Sequence, residues 1–251
     1  MKRVLITGAS GLVGRILMQT LADSYEVTGI DVKRFGGVHG NRGDMRRLRS
    51  IQAAFEAQDV VVDLAASARL TSPWRHVYRN NIPATHNAFE AAHRAGVPRV
   101  VFASSNHVMG LYEHDEPYVS IVSGRLAGLD PSKTPLIRTD EAIRPDSLYA
   151  VGKVFAEALG RHYSELHGLS AICLRLGTVN PTGRPSEPRH FADLLSHADL
   201  DRLVRCAIEA PSDLRFGIYS GVSDNTWRIW DLENAVRDLG YQSLDNAEAW
   251  R

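Results

Sequence analysis

The sequence predicts an α/β fold built on a doubly wound parallel sheet, and three observations predict it. Short apolar runs alternate with helix-period segments along nearly the whole chain. The first run opens into a glycine-rich turn that leads straight into a helix. Gly8, Asp31, Ala65, Ser105 and Thr178 all fall just past the carboxyl ends of strands, where such sheets bind their ligands.

The elements follow in order. Val4-Leu5-Ile6 is apolar and β-branched at its ends, the pattern of a strand buried on both faces. Thr7 to Gly14 is the glycine-rich turn, and a helix is expected from Ile16 to Leu21. Glu26 to Ile30 reads as a second strand ending at Asp31. A helix from Arg46 to Ala57 precedes a third strand, Asp59 to Leu64, which ends in Ala65-Ala66. Asn81 to Ala95 has helical period, with Ala84, Ala88, Phe89, Ala91 and Ala92 as its apolar positions; Gly96 and Pro98 stop it. Arg99 to Ala103 is the fourth strand and runs into Ser104-Ser105-Asn106-His107. A helix from Tyr149 to His167, closed by Gly168, precedes a strand from Ser170 to Leu176. Two irregular segments, 111–144 and 179–189, interrupt the alternation; segments this long act as lids or stay unstructured. Ala198 to Ala210 reads as helix, Phe216 to Ser220 as strand and Asp231 to Leu239 as a last helix ending at Gly240. The chain carries no internal repeat.

Bulk properties narrow the function. The 251 residues, 44% of them hydrophobic, suit one domain spanning 1–251, with a small substrate lobe drawn mainly from 106–147 and 178–235. Net charge is zero and no basic run or basic–aromatic face is present, which argues against nucleic acid. The two cysteines, Cys173 and Cys206, lack metal-ligand spacing, and no His, Cys or carboxylate set supplies it, so no metal is expected. Neither a leader-like apolar stretch nor a membrane span appears, and a cytoplasmic protein is expected.

The glycine-rich turn has the chemistry of a dinucleotide site. Gly8 permits the tight turn, Gly11 lets the backbone approach a pyrophosphate, and Gly14 lets the helix pack closely. Free N–H groups at the helix start then meet phosphates. Asp31 lies about 20 residues beyond the central glycine, where a carboxylate accepts the ribose hydroxyls of NAD and repels the extra phosphate of NADP. Lys33 and Arg34 lie close by and weaken that preference. Asp44-Met45 sits where an adenine contact is expected.

Tyr149-Ala150-Val151-Gly152-Lys153 places a phenol and an ammonium four residues apart on one helical face. A free phenol, with a pKa of about 10, is a poor base near neutrality. A cation held beside it favours the phenolate. A surface i,i+4 pair has the same spacing; what favours the catalytic reading is the dinucleotide turn at the amino terminus.

Together these residues resemble the extended short-chain dehydrogenase/reductase, or NAD-dependent epimerase/dehydratase, superfamily, across essentially the whole chain. The Thr-Gly-x-x-Gly-x-x-Gly turn at 7–14, Leu64-Ala65-Ala66, Asn81 and the Tyr149/Lys153 pair carry the resemblance. It implies a Rossmann-type sheet with NAD held by Gly8, Gly11, Leu12, Val13, Gly14, Asp31, Val32, Asp44, Met45, Leu64, Ala65, Ala66, Asn81, Tyr149, Lys153 and Leu176. Four further runs, at 102–107, 144–149, 196–199 and 245–249, resemble the uronate dehydrogenase family, which oxidises the anomeric carbon of galacturonate or glucuronate to an aldarolactone. The runs 65–81 and 223–225 are also similar to an NAD-dependent glucose-6-phosphate dehydrogenase. The resemblance implies Tyr149 as base, Lys153 as its partner and Ser105 as catalytic serine. Asn106 and His107 would contact sugar hydroxyls, Thr178 would keep a hydroxyl at the site, and Arg189 would bind a carboxylate. Two departures stand out: the stretch between Gly110 and Tyr149 is longer than in that family, and a one-residue length difference after Ala66 leaves either Ser67 or Ala68 facing the substrate. A homodimer or higher homo-oligomer, pairing through helices 81–95 and 149–167, is expected. An epimerase or dehydratase, or a non-catalytic dinucleotide sensor, are the competing readings.

Overall fold

The computed structural model describes residues 1–33 and 40–251; Arg34 lies outside the described residues. Among the described residues seven strands, all parallel, form one sheet in the order β3-β2-β1-β4-β5-β6-β7. They are β1 (Arg3–Thr7), β2 (Glu26–Asp31), β3 (Gly40–Arg42), β4 (Val60–Asp63), β5 (Arg99–Ser105), β6 (Ser170–Leu176) and β7 (Phe216–Gly221). Strand β3 was not anticipated: Gly40, Asn41 and Arg42 are exposed and carry no apolar pattern, so only their pairing with Gly29 to Asp31 makes them a strand. From β1 the chain passes to β2 on one side, and β4 then lies on the other side of β1. That reversal opens the crevice in which doubly wound sheets bind ligands.

Helices cover both faces. On one side lie α1 (Leu12–Thr20), α7 (His197–Glu209) and α8 (Glu233–Leu239), packed through Leu17, Leu200, Leu203, Val204 and Leu239. On the other lie α2 (Leu48–Phe55), α3 (Trp74–Arg94) and α5 (Leu148–His167), packed through Ile51, Phe55, Ala88, Phe89, Ala156 and Tyr163. Several helix bounds differ from expectation. Helix α1 starts at Leu12, directly after Gly11, and α2 is shorter than the 46–57 expected. Helix α3 begins at Trp74, seven residues before Asn81. Its first two turns bury only Val77 and carry Arg75, His76, Arg79 and Asn80, so apolar period could not reveal them. Pro83 sits inside this helix.

The segment 111–144 is packed, not loose. A 3₁₀ turn (Asn106–His114) and a short helix, α4 (Tyr118–Val122), fill its first half. Its ends are tied where Leu111 N–H donates to the Arg144 carbonyl and Arg144 N–H to the Val108 carbonyl, each at 3.0 Å. Further on, Ile137 N–H donates to the Ile229 carbonyl at 2.8 Å, and Ile121, Ile137 and Trp230 share one apolar cluster. The segment 179–189 is irregular as expected and leads into a one-turn helix, α6 (His190–Asp193). No described helix is long and apolar enough to cross a membrane.

Candidate active site

The turn after β1 forms the floor of a cavity of about 610 Å³. Gly8 has φ +65°, and a Cβ there would meet the Leu64 carbonyl group at 3.0 Å. A Cβ on Gly14 would lie 2.5 Å from the Gly8 carbonyl oxygen and 2.7 Å from Ala9 Cα, so glycine is what allows α1 to close on the turn. Both oxygens of Asp31 are held by backbone: Ser10 N–H donates to one and Lys33 N–H to the other, each at 3.0 Å. The carboxylate is thereby fixed beside the glycine turn, in the cavity lining. Val32, Asp44, Met45, Leu64, Ala65, Ala66 and Asn81 line the same cavity. Bare backbone, a helix start and a fixed carboxylate suit a pyrophosphate and an adjoining ribose.

Two expected contacts in this cavity also bond within the chain. The Asp44 carboxylate takes the guanidinium of Arg46 at 2.8 and 2.9 Å, which holds it below the usual carboxylate range. Asn81 spends its side chain on the chain itself: Ser67 N–H donates to its Oδ1 at 2.9 Å and its Nδ2 donates to the Ser67 carbonyl at 3.1 Å. It positions the turn after β4. Beneath that turn, Thr7 donates to buried Asp63 at 2.5 Å and accepts from the N–H groups of Leu64 and Ala65 at 3.2 Å. Burial pushes the Asp63 carboxyl up, opposed by Thr7 and by the charge of Lys153.

A second cavity, of about 340 Å³, adjoins the first across Leu64 and Ala66, which line both. Val13, Ala68, Ser105, Asn106, His107, Tyr149, Lys153, Leu176 and Thr178 line it. Ser147 caps α5 by accepting from Ala150 N–H at 3.2 Å, so Tyr149 stands in the first turn and Lys153 one turn on. Lys153 Nζ donates to the Ala103 carbonyl at 2.5 Å and sits 5.6 Å from the Tyr149 ring centroid. Ser105 Oγ accepts from His107 N–H at 3.3 Å. His107 Nδ1 donates to Asp146 Oδ2 at 2.5 Å, which leaves Nε2 as the nitrogen free to serve the cavity. Burial pushes the Asp146 carboxyl up, but the bond and charge of His107 outweigh it and hold the group low.

Arg189 does not line this cavity; it stands one hydrogen bond behind the wall. Its Nε and one terminal nitrogen donate to the two oxygens of Glu113 at 2.6 and 2.7 Å. The other terminal nitrogen pairs with buried Asp193 and donates to Thr178 Oγ1 at 3.2 Å. Thr178 Oγ1 donates to Asp193 Oδ2 at 2.8 Å, and Asn106 Nδ2 donates to the same oxygen at 3.1 Å.

The expected reactive group, Ser105, Tyr149 and Lys153, is therefore assembled in one cavity with Asn106, His107 and Thr178. Of the two candidates after Ala66, Ser67 lines the first cavity and Ala68 the second, so Ala68, not Ser67, lines the cavity that holds Tyr149. Leu12 lines neither cavity, and Gly14 supports the turn from behind. Sequence reasoning missed Glu113, Asp146 and Asp193. Asp146 lies within a quoted run, Arg144 to Tyr149, whose spacing gave no hint of a histidine 39 positions away. Glu113 and Asp193 carry no local signal.

Residues 4–202 match the NAD dependent epimerase/dehydratase family. The chain is 34% identical to an L-arabinose 1-dehydrogenase (NAD(P)(+)) of Haloferax volcanii, over 98% of each chain. It is 32% identical to an NAD-dependent glucose-6-phosphate dehydrogenase of the same organism, over 97% of this chain and 94% of that one. Among solved structures, a uronate dehydrogenase mutant from Agrobacterium tumefaciens complexed with NAD superposes with a TM-score of 0.83 at 29% identity, covering 100% of this chain and 88% of that one.

Proposed function

The chain belongs to the NAD dependent epimerase/dehydratase family, and from that premise we propose that it is an NAD-dependent dehydrogenase that oxidises the anomeric carbon of a free cyclic sugar. The observation that carries this reading is the placement of Ser105, Tyr149 and Lys153 in a cavity that opens onto the dinucleotide cradle across Leu64 and Ala66. The glycine turn, Asp31 and the strand-end residues 64–66 would hold NAD. When bound, NAD supplies a two-electron acceptor.

The chain's own groups handle the proton and the substrate. Tyr149 takes the proton of the anomeric hydroxyl. The Lys153 ammonium, held by the Ala103 carbonyl, stabilises the negative charge of the phenolate that must be present for this step. The Ser105 hydroxyl donates to the oxygen that is losing its proton. His107 Nε2 and Asn106 Oδ1, each left free by a partner on the other side of its side chain, receive ring hydroxyls. A base so placed contributes about 10²–10⁴-fold, and positioning contributes much of the rest. The product is a lactone, short of two electrons and two protons relative to the sugar.

The relatives named above act on L-arabinose, glucose-6-phosphate and a uronate, so a C5 substituent is not what they share. The hexuronic acid expected from the sequence would place its carboxylate on Arg189, whose guanidinium is paired with Glu113 and Asp193. NADH formation with aldoses offered singly tests the reading. Tyr149→Phe is expected to keep NAD binding while turnover falls by about 10² or more; near-wild-type turnover would refute it. Pairing with a second copy is part of the same proposal, since Tyr78 and Ile82 of α3 and Phe155 of α5 line one surface hollow. A monomeric mass by sedimentation would refute that part.

A further inference from the structure

Four of the five N–H groups of the Arg189 guanidinium are taken by Glu113, Asp193 and Thr178, which leaves no fork for a planar anion. Glu113 meets it fork to fork through two bonds of 2.6 and 2.7 Å, the strongest arrangement these groups can form. Asp193 and Thr178 take the remaining terminal nitrogen. The side chains of Arg189 and Glu113 are only 21% and 12% exposed, and that of Asp193 is 1% exposed. Opening such a desolvated set to admit an outside anion leaves a buried carboxylate unpaired, which is strongly unfavourable. With all three groups ionised the cluster carries one net negative charge. If Asp193 holds a proton, which burial promotes, the cluster is neutral. In neither state does it offer positive charge.

The other basic side chains of the cavity also have partners. Among the described residues lining it, the basic side chains are Lys153 and His107. Lys153 is bonded to the Ala103 carbonyl beside Tyr149, and His107 is bonded to Asp146. What remains facing the cavity is hydroxyl, amide and imidazole nitrogen, a set suited to sugar hydroxyls. A carboxylate or phosphate entering it would lose hydration and meet one fixed cation, Lys153, whose charge already serves Tyr149.

We infer that the substrate is an uncharged sugar and that Glu113 is the specificity-determining residue, because it occupies the guanidinium that would otherwise receive an anionic substituent. This rests on the dehydrogenase reading above and decides its substrate class. Glu113 touches no reacting atom and acts through Arg189, so it is a positioning residue.

The test compares ring-matched pairs, D-galactose with D-galacturonate and D-glucose with D-glucuronate, by NADH formation. The proteins are wild type, Glu113→Ala, Glu113→Gln and Glu113→Gln combined with Arg189→Gln, each checked for folding by thermal melting. Wild type is expected to favour each neutral sugar over its acid by about tenfold or more in kcat/KM. Both single variants are expected to raise the acid-to-neutral ratio by about 10- to 100-fold, chiefly through KM for the acid, and the double variant to reverse the gain. A wild type that favours the acids, or a ratio unmoved in folded single variants, overturns the inference. If no sugar reduces NAD, the dehydrogenase reading falls. Calorimetry with the same sugars then decides the charge rule alone: galacturonate binding to Glu113→Ala but not to wild type sustains it, and equal behaviour of the two proteins overturns it.

Discussion

Replacing Asn81 separates two roles that sequence alone cannot tell apart, a contact to the dinucleotide and a brace for the turn after β4. The side chain is 5% exposed, and its amide makes both of its bonds to one residue, accepting from Ser67 N–H at 2.9 Å and donating to the Ser67 carbonyl at 3.1 Å. Two such bonds are worth about 1 kcal/mol each. Ser67 is half-buried, so water can limit the cost of leaving its backbone groups unpaired after Asn81→Ala, and the loss is expected to stay near the sum of the two bonds, about 2 kcal/mol. For a chain of this size that lowers Tm by about 4–8 °C. The turn it braces includes Ala66, which lines both cavities, so NAD affinity is expected to fall along with stability. Thermal melting and calorimetric titration with NAD provide the two readouts. An Asn81→Ala protein with unchanged Tm that nevertheless loses NAD would refute the bracing argument and make Asn81 a direct ligand. Asn81→Asp sharpens the test, since a carboxylate can accept from Ser67 N–H but cannot donate to its carbonyl. Near neutrality it is expected to be no more stable than alanine, because it buries an unpaired charge against the Ser67 carbonyl, and to recover as acid protonates it.

Two further perturbations probe the ground under the reactive cavity. Arg175 donates to both oxygens of Glu157 at 2.8 and 2.9 Å in a pair almost wholly buried, and Ser104 donates to the same carboxylate at 2.6 Å. Arg175→Met strands that carboxylate and is expected to cost about 3–5 kcal/mol by urea unfolding, whereas replacing Arg175 and Glu157 together with apolar residues is expected to cost much less; equal losses in the two proteins would contradict this. Asp146 is held low by His107, so its folded pKa lies below its unfolded value. Such a group contributes its full stability above the unfolded pKa of about 3.9 and loses it as pH falls through the folded value. Asp146→Asn is therefore expected to be less stable than wild type near neutrality, with the gap closing below about pH 4; a gap that widens on acidification would have the wrong sign.

The fold was legible where burial imposes a period. Strand β6 was expected over the residues it occupies, Ser170 to Leu176, because six of its seven residues are buried and the run is apolar on both faces. Helix α5 ends at Gly168 in the left-handed conformation, as a glycine C-cap should. Legibility failed where burial is absent. Strand β3 is three exposed residues held by its neighbour, and the first turns of α3 are polar around a single buried valine. The 111–144 segment looked irregular because its order comes from distant partners such as Ile229 and Trp230, which no local pattern announces.

The site divides along the same line, and the division bears on function. Its reactive half is local: Tyr149 and Lys153 lie one helical turn apart, Ser105 and His107 are two residues apart, and the glycines lie within one turn, so their spacings taken together point to the chemistry. Its selective half is non-local. Arg189 meets Glu113 across 76 positions, and Asn106 meets Asp193 across 87. A single substitution at a position like 113 frees or occupies a guanidinium without disturbing any reactive spacing. The relatives at 29–34% identity have names that range from a neutral pentose to a sugar phosphate and a sugar acid. A family likeness carried by reactive spacing has no hold on substrate charge. The state of the Arg189 guanidinium does, because the free energy of admitting an anion behind Thr178 depends on whether Glu113 is already there.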